Sequence, residues 1–308
     1  MKILNGSTLA KKIKSVLAIE IDYLVKKHGR APKLCIILAG DDPASTSYIK
    51  SKQKSCNEIG ILCDLSMLPY STSQDELLAL IEVLNNDPDV DGILVQLPLP
   101  KHIDQNIVLQ AIDYKKDVDG LHPMNVGLLN RSDEAIIPCT PKGILSLLKA
   151  EDISITGKHC VVIGRSNLVG KPMAQLMLRE NASVTVCHSK TRDLAYLTRQ
   201  GEILIIAIGH PNLVNADMLK KGAVVVDVGI NSVDGKLVGD LYNSIDVKDI
   251  EKKAAAITPV PGGVGPMTIA SLLENVVEIF KKRCGAPLLP PPPEFYAPCR
   301  TDALPVSK

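Results

Sequence analysis

Short runs of apolar, mostly β-branched residues recur along the chain and alternate with segments of helical periodicity. The run at residues 203–208 is apolar on both faces, which is typical of a parallel strand that helices cover on both sides. The alternation therefore predicts an α/β fold with doubly wound sheets. Six strands are predicted in this way: KLCIILAG (33–40), DGILVQLPLP (91–100), HCVVIG (159–164), SVTVCH (183–188), EILIIAIG (202–209) and GAVVVDVG (222–229).

Helical spacing marks several of the segments between these strands. Apolar residues on one face predict a first helix within the first 30 residues: Leu9, Ile13, Val16 and Leu17. The next helix is expected directly after the first predicted strand, with Asp42 as its N-cap and Pro43 at its first position. Residues 267–283 predict the last helix.

Two loops rich in proline and glycine divide the chain. Residues 136–143, IIPCTPKG, are interpreted as a hinge, and residues 259–266, PVPGGVGP, as the end of a second domain. We therefore expect an N-terminal α/β domain at residues 1–138, completed by the last helix. A Rossmann-like domain is expected at residues 139–266.

Composition narrows the function classes. The 308 residues suffice for two domains, and 35 Lys and Arg against 34 Asp and Glu argue against nucleic acid or an anionic membrane as the main partner. The N-terminus lacks the apolar core of a signal peptide, and no apolar stretch is long enough for a membrane span. The 8 cysteines are scattered without a C-x-x-C pair, which favours a reducing cytoplasm without disulfides. Residues 285–308 are rich in proline and predict a disordered or extended tail.

The sequence VVIGRSNLVG indicates a strand that turns into a helix, where dinucleotide cofactors place their pyrophosphate. It lacks the second glycine of G-x-G-x-x-G, because Gly164 is followed by Arg165, Ser166 and Asn167, and the next glycine is Gly170. An ordinary α/β turn with surface charges remains the alternative.

The end of the next predicted strand favours NADP over NAD. NAD sites carry an acidic residue there for the ribose 2′-hydroxyl, but here the first acid is Asp193. Hydrogen-bond donors and cations precede it: His188, Ser189, Lys190 and Arg192. We therefore expect Arg165, Ser166 and Ser189 to bind the 2′-phosphate of NADP.

A second group of polar residues is predicted at the carboxyl ends of the first strands. Tyr48 and Lys52 are four residues apart and share one helical face, although an exposed face would show the same spacing. Gln96 ends a strand and Asp119 follows in a loop, so all four side chains are expected in one cleft. Residues 258–268 predict a rigid turn of prolines and glycines with accessible backbone amides just before a helix, which is a third indication of a ligand site. A simple linker is the alternative interpretation of this segment. The six histidines lack metal-ligand spacing, so no metal site is predicted.

Together these stretches resemble the bifunctional methylenetetrahydrofolate dehydrogenase/methenyltetrahydrofolate cyclohydrolase family. The resemblance covers about residues 1–283, in the order of the family. The matching segments are YIKSK, DGILVQLPLP, KDVDGLHPMNVGLL, PCTPKG, VVIGRSNLVGKP, HSKT, VVVDVGIN, GDL and TPVPGGVGPMTIASLLENV.

The resemblance implies roles for individual residues. Lys52 would be the central catalytic lysine, held by Gln96, with Tyr48 stacked on the folate and Asp119 anchoring the pterin amino edge. Further residues would line the folate site: Val95, Leu97, Pro261, Gly262, Gly263, Val264 and Gly265. The NADP site would consist of Gly164, Arg165, Ser166, Ser189 and Ile230.

The family oxidises methylenetetrahydrofolate with NADP and then hydrolyses the methenyl product to 10-formyltetrahydrofolate. The resemblance also implies a homodimer formed through the cofactor domain. Two alternatives remain open at this stage. One is a monofunctional NADP-dependent dehydrogenase, and the other is an NADP-binding redox sensor without catalysis. The joint presence of Lys52, Gln96 and Asp119 speaks against both.

Overall fold

The structure is a computed structural model that describes residues 1–40, 42–243 and 245–286 of the 308-residue chain. The predicted proline-rich tail lies outside the described residues, apart from Gly285 and Ala286. Among the described residues, no helix combines the length and the apolar character needed to cross a membrane.

The N-terminal half contains a parallel three-stranded sheet, in which the strand at residues 33–39 lies between those at 62–68 and 92–95. Its central strand is buried almost throughout because it has a neighbour on either side. The elements are β1 (Lys2–Ile3), α1 (Gly6–His28), β2 (Lys33–Ala39), α2 (Pro43–Ile59), β3 (Leu62–Leu68), α3 (Gln74–Asn86), β4 (Gly92–Val95), α4 (Gln105–Ala111), α5 (Pro123–Asn130) and α6 (Cys139–Ala150).

The C-terminal half carries a six-stranded parallel sheet, in which the strands follow the order 2–3, 254–257, 223–227, 203–206, 159–163 and 183–187. Residues 231–233 and 236–238 form a separate antiparallel hairpin. The elements are β5 (His159–Ile163), α7 (Gly170–Arg179), β6 (Ser183–Cys187), α8 (Leu194–Thr198), β7 (Ile203–Ile206), β8 (Ala223–Asp227), β9 (Asn231–Val233), β10 (Lys236–Val238), α9 (Val247–Glu251), β11 (Ala254–Ile257) and α10 (Val264–Arg283).

The predicted two-domain α/β class is confirmed, and each of the six predicted strands contains an observed strand. The first helix is also confirmed, with Leu9, Ile13 and Leu17 buried and Val16 packed against the same core. Helix α2 begins at Pro43, as expected. Strand β11 was not predicted because its sequence is AAAI, which carries little β propensity. Strand β3 was missed as well, since it lies at a sheet edge and is only partly buried.

The predicted hinge at residues 136–143 is wrong in its second half, because Cys139 already begins α6. Helix α6 packs closely on α10: a Cβ atom at Gly143 would lie 2.8 Å from the carbonyl oxygen of Met267. Helix α10 begins at Val264, three residues before the predicted start at residue 267. Pro141 and Pro266 lie in the first turns of α6 and α10, where a helix needs no amide donor, so these prolines are compatible with both helix starts.

The N-terminus is tied to the second sheet rather than to the first. Strand β1 pairs in parallel with β11, and the amide of Ser7 donates to the carbonyl oxygen of Gly262 at 2.9 Å. The division of the chain at residues 138 and 139 stays a prediction.

Candidate active site

Helix α2 places Tyr48 and Lys52 on one face, at the carboxyl edge of the three-stranded sheet. The Nζ atom of Lys52 lies 4.7 Å from the centroid of the Tyr48 ring, and Lys52 is only 5% exposed. A buried amine needs polar partners. Gln96 supplies one, since its Oε1 accepts a hydrogen bond from Lys52 Nζ at 3.0 Å.

Gln96 is itself held on both sides. Its backbone amide donates to the carbonyl oxygen of Ile37, which continues the sheet pairing one residue beyond β4. Its side-chain Nε2 donates to the carbonyl oxygen of Leu97 at 2.7 Å. The orientation of the amide is therefore fixed, with its oxygen facing the lysine.

The structure brings Tyr48, Lys52, Gln96 and Asp119 to one cavity of about 190 Å³, which we call the Lys52 cavity. Its remaining lining residues are Leu97, Leu121, Cys139, Leu168, Thr268 and Leu272. Val95 does not line it, because its side chain points into the core beneath α3.

Two side chains of the Lys52 cavity are held in their protonated forms. Burial, and then the charge of Asp119, raise the pKa of the Tyr48 phenol. The same two causes raise the pKa of the Cys139 thiol. The cavity thus combines an amine, a carboxylate, a primary amide and two neutral donors, a set suited to binding a polar heterocycle and moving a proton.

Sequence reasoning missed Cys139, Thr268 and Leu272 as lining residues. Cys139 was assigned to a hinge, whereas it is the first residue of α6. Thr268 and Leu272 lie four residues apart on α10, and this i, i+4 spacing next to the PGGVGP segment was the signal that could have found them.

The glycine-rich residues expected at the folate site line a different space, which we call the Ile230 cavity. Its volume is about 430 Å³, and it lies at the carboxyl ends of β8 and β11. Ile230, which is 60% exposed, lies there together with Pro261, Gly262, Gly263, Val264 and Gly265. Helix α10 connects the two spaces, because it starts at the Ile230 cavity and lines the Lys52 cavity further along.

Two fully buried carboxylates shape the loops around the Ile230 cavity. Asp227 accepts hydrogen bonds from the backbone amides of Gly229, Asp240, Leu241 and Tyr242. Burial raises the pKa of Asp227 to about 6, although these hydrogen bonds oppose the shift. Asp240 in turn accepts from the backbone amides of residues 208 and 209 at 2.8 and 3.0 Å. The pair thus binds the ends of β7 and β8 to one another.

The segment between β5 and α7, residues 164–169, is the β5–α7 turn. Gly164 has φ +118°, and a Cβ atom there would lie 2.2 Å from the carbonyl oxygen of Ala207. A Cβ atom at Gly170 would lie 2.2 Å from the carbonyl oxygen of Gly164. Both positions therefore require glycine, and the chain passes directly beside the start of α7, where an anion would meet helix amides.

Arg165, Ser166 and Ser189 are exposed around this turn. The amide of Gly164 donates to the carbonyl oxygen of Cys187, which brings the β5–α7 turn beside the end of β6. The Ser166 hydroxyl accepts from the backbone amides of Val169 and Gly170 at 3.1 and 3.4 Å. Its oxygen therefore shapes the turn, and its proton remains available for a ligand.

Asp193, the first acid after β6, caps α8. Its carboxylate accepts from the backbone amide of Tyr196 at 3.1 Å. The segment before it is folded into a turn, in which the amide of His188 donates to the Thr191 hydroxyl at 2.8 Å. The end of β6 therefore presents donors and cations, with its first carboxylate engaged in a helix cap.

Comparison with known families matches most of the chain. Residues 4–119 match the catalytic domain of the tetrahydrofolate dehydrogenase/cyclohydrolase family, and residues 138–284 match its NAD(P)-binding domain. The bifunctional protein FolD of Halalkalibacterium halodurans is 51% identical over 280 residues, which cover 91% of this chain and 99% of the relative.

Solved structures agree with this match. The bifunctional FolD methylenetetrahydrofolate dehydrogenase/cyclohydrolase of Campylobacter jejuni is 51% identical, has a TM-score of 0.89, and covers 92% of this chain and 99% of its own. The dehydrogenase-cyclohydrolase of Trypanosoma brucei, solved in complex with NADP and an inhibitor, is 38% identical with a TM-score of 0.87. The match covers 92% of this chain and 98% of the trypanosomal one.

Proposed function

This chain belongs to the tetrahydrofolate dehydrogenase/cyclohydrolase family, and we propose that its Lys52 cavity serves both reactions of a bifunctional enzyme. The first reaction is the NADP-dependent oxidation of 5,10-methylenetetrahydrofolate to 5,10-methenyltetrahydrofolate. The second is the hydrolysis of that product to 10-formyltetrahydrofolate. The observation that carries the proposal is the buried Lys52–Gln96 pair in one cavity with Tyr48 and Asp119. A monofunctional dehydrogenase would not need a lysine held in this way.

For substrate binding, Asp119 anchors the amino edge of the pterin and Tyr48 stacks on the folate. The raised pKa of Tyr48 keeps its hydroxyl protonated, so the ring approaches the ligand without an added negative charge. Leu97 and Leu272 supply apolar surface to the cavity. The five residues from Pro261 to Gly265 complete the folate site from the side of the Ile230 cavity.

Bound NADP supplies the acceptor for the hydride in the oxidation. The β5–α7 turn would hold its phosphates, because glycine at positions 164 and 170 leaves backbone amides accessible. Arg165, Ser166 and Ser189 would bind the 2′-phosphate, and Ile230 would contact the cofactor. The protein contributes alignment to this step, since hydride transfer requires the two rings to be in contact and little acid–base help.

Hydrolysis makes a different demand on the same cavity. Water adds to the methenyl carbon, the bond from this carbon to N5 breaks, the formyl group stays on N10, and one proton is released. Lys52 handles the proton, and the oxygen of Gln96 fixes the position of its Nζ atom at 3.0 Å.

The chain forms a homodimer through its cofactor domain and works in the cytoplasm. Strand β6 is the edge of the six-stranded sheet, and Val186 on it is 39% exposed. Leu178 at the end of α7 is 50% exposed nearby and extends this apolar edge. Such a surface suits a second copy of the sheet. Sedimentation of the Val186→Lys variant, which places a charge on the edge, tests the interface.

The experiment that tests the function supplies methylenetetrahydrofolate with NADP or with NAD. The absorbances of NADPH and of the methenyl product are then followed separately. The expected result is NADPH formation with little accumulation of the methenyl compound, because hydrolysis follows. NADPH formation with stoichiometric accumulation at neutral pH would identify a monofunctional dehydrogenase. No turnover with either cofactor would leave only a binding protein.

A further inference from the structure

Asn275 on α10 is fully buried, and its side chain reaches two separate segments of backbone. The Nδ2 atom donates to the carbonyl oxygen of Val118 at 2.8 Å and to that of Ile137 at 2.9 Å. Val118 immediately precedes Asp119, so this amide fixes the peptide from which the carboxylate projects. The Cys139 thiol donates to the same Val118 oxygen at 3.3 Å, which gives that carbonyl two side-chain donors.

The two segments cross at Gly120. Its φ is +66°, and a Cβ atom there would lie 2.5 Å from the carbonyl oxygen of Ile136 and 2.7 Å from the nitrogen of Pro138. The loop that carries Asp119 thus lies directly on residues 136–138. Asn275 forms hydrogen bonds with both of these segments and holds them together.

The oxygen end of the Asn275 amide is held by Lys142, which forms an ion pair with Glu278. Lys142 Nζ donates to Asn275 Oδ1 at 2.8 Å and lies 3.2 Å from Glu278 Oε2. Because a lysine can only donate, it fixes the oxygen end of the amide, and Nδ2 must face the two carbonyl groups. Helix α10 also lines the Lys52 cavity with Leu272, one turn before Asn275.

We propose that Asn275 is a positioning residue for Asp119: its amide clamps the Val118 and Ile137 carbonyl groups and thereby sets the direction of the carboxylate in the Lys52 cavity. The residue itself does not line the cavity. Its effect reaches the substrate through Asp119, so the inference rests on the proposed function, in which Asp119 binds the folate.

The test is a double-mutant cycle on the full-length protein. Asn275→Leu keeps the approximate size of the side chain and removes both donors. We expect the KM for methylenetetrahydrofolate to rise about tenfold, the scale of a lost buried hydrogen bond, with kcat and the KM for NADP changing less than about twofold. In an Asp119→Ala background the same substitution should change the folate KM less than about twofold, because coupled residues are not additive.

Ser271→Ala is the matched control. Ser271 is fully buried on α10, one turn before Asn275, and neither the Val118 nor the Ile137 carbonyl group accepts a hydrogen bond from it. We expect it to leave the folate KM within about twofold of wild type. The melting temperature of every variant is measured, so that loss of folding is not read as loss of binding.

Two outcomes overturn the inference. One is a folded Asn275→Leu protein with an unchanged folate KM, and the other is an equal rise in both backgrounds, which would show that Asn275 does not act through Asp119. If Asn275→Leu does not fold, Asn275→Asp decides, because it keeps the oxygen that faces Lys142 and removes both donors. A higher folate KM in this variant supports the clamp, and an unchanged value contradicts it. Failure of the proposed function is seen separately, as an Asp119→Ala protein with a normal folate KM.

Discussion

In the Lys52 cavity the polar side chains are buried and hydrogen-bonded to the protein, whereas around the β5–α7 turn they are exposed. Lys52 is 5% exposed and bonded to Gln96, while Arg165 and Ser189 face solvent. A group that transfers a proton is more effective when the protein fixes its position and excludes water from it. In the function we propose, the dinucleotide leaves after each turnover, and side chains that remain hydrated until it binds suit such a ligand.

This difference predicts that substitutions in the two regions act on different quantities. Changes in the Lys52 cavity should reduce the rate of a chemical step, since the group acts in the transition state. Changes around the β5–α7 turn should weaken cofactor binding and leave the chemical steps alone.

The largest effect is expected from Lys52→Met, which preserves chain length and apolar packing but removes the amine. We expect cyclohydrolase activity to fall by about 10²-fold or more, the usual scale for losing an acid–base group. Dehydrogenase activity should fall less, so the methenyl product should accumulate. Both activities are measured on the same purified protein, together with its melting temperature.

Two results would contradict the proton-transfer role of Lys52. Hydrolysis at a near wild-type rate would show that Lys52 does not handle the proton. Equal loss of both activities in a folded protein would show instead that Lys52 binds the substrate for both steps.

Arg165→Ala should have the next largest effect, confined to the cofactor. The wild-type protein should prefer NADP over NAD by at least about tenfold in kcat/KM, the scale of one charge-assisted contact of ~1.4 kcal/mol. The variant should raise the KM for NADP much more than the KM for NAD. Equal kcat/KM values for the two cofactors in the wild-type protein would contradict the assignment.

A smaller effect on stability is expected behind the Lys52 cavity, at Glu278. Burial opposes its ionisation, but the charges of Lys142 and Lys282 prevail and lower the pKa of Glu278. Since the pKa is lower in the folded protein, the stabilisation is complete above the unfolded value of about 4.3 and is lost as the pH falls through the folded value.

Glu278→Gln should therefore lower the melting temperature at pH 7, through the loss of about 1 kcal/mol from a partly buried ion pair. The difference from wild type should shrink as the pH is lowered toward 3, because the wild-type carboxylate is then protonated as well. A difference that does not change between pH 7 and pH 3 would exclude the ion pair as its cause.

The smallest effect is expected at the C-terminus. A chain ending at Cys284 should retain both activities within about twofold, because residues 285–308 follow the last helix and lack a periodic apolar face. Loss of turnover in a truncated protein that still folds would make the tail part of one of the two sites.

The features that could be predicted from the sequence are those that depend on residues close together in the chain. The β5–α7 turn, the shared face of Tyr48 and Lys52, and the strand that ends at Gln96 all depend on local spacing. The contributions of Cys139, Thr268 and Asn275 depend on how α6 packs against α10, which no local pattern encodes. Residues 261–265 lie at the carboxyl end of β11 because they follow this strand closely in the chain, but β11 itself was not predicted from the sequence.

The pairing of β1 with β11 also has a consequence for how the protein is made. Lys2 pairs with Ala256, and a Cβ atom at Gly6 would lie 1.9 Å from the carbonyl oxygen of Gly263. A ribosome that adds roughly 5–20 residues per second needs on the order of tens of seconds between these two partners. Throughout that time the first strand of the nascent chain has no neighbour, and the wall of the Ile230 cavity cannot close. The Ile230 cavity is therefore completed only at the end of synthesis, although Ser7 on its wall is among the first residues made.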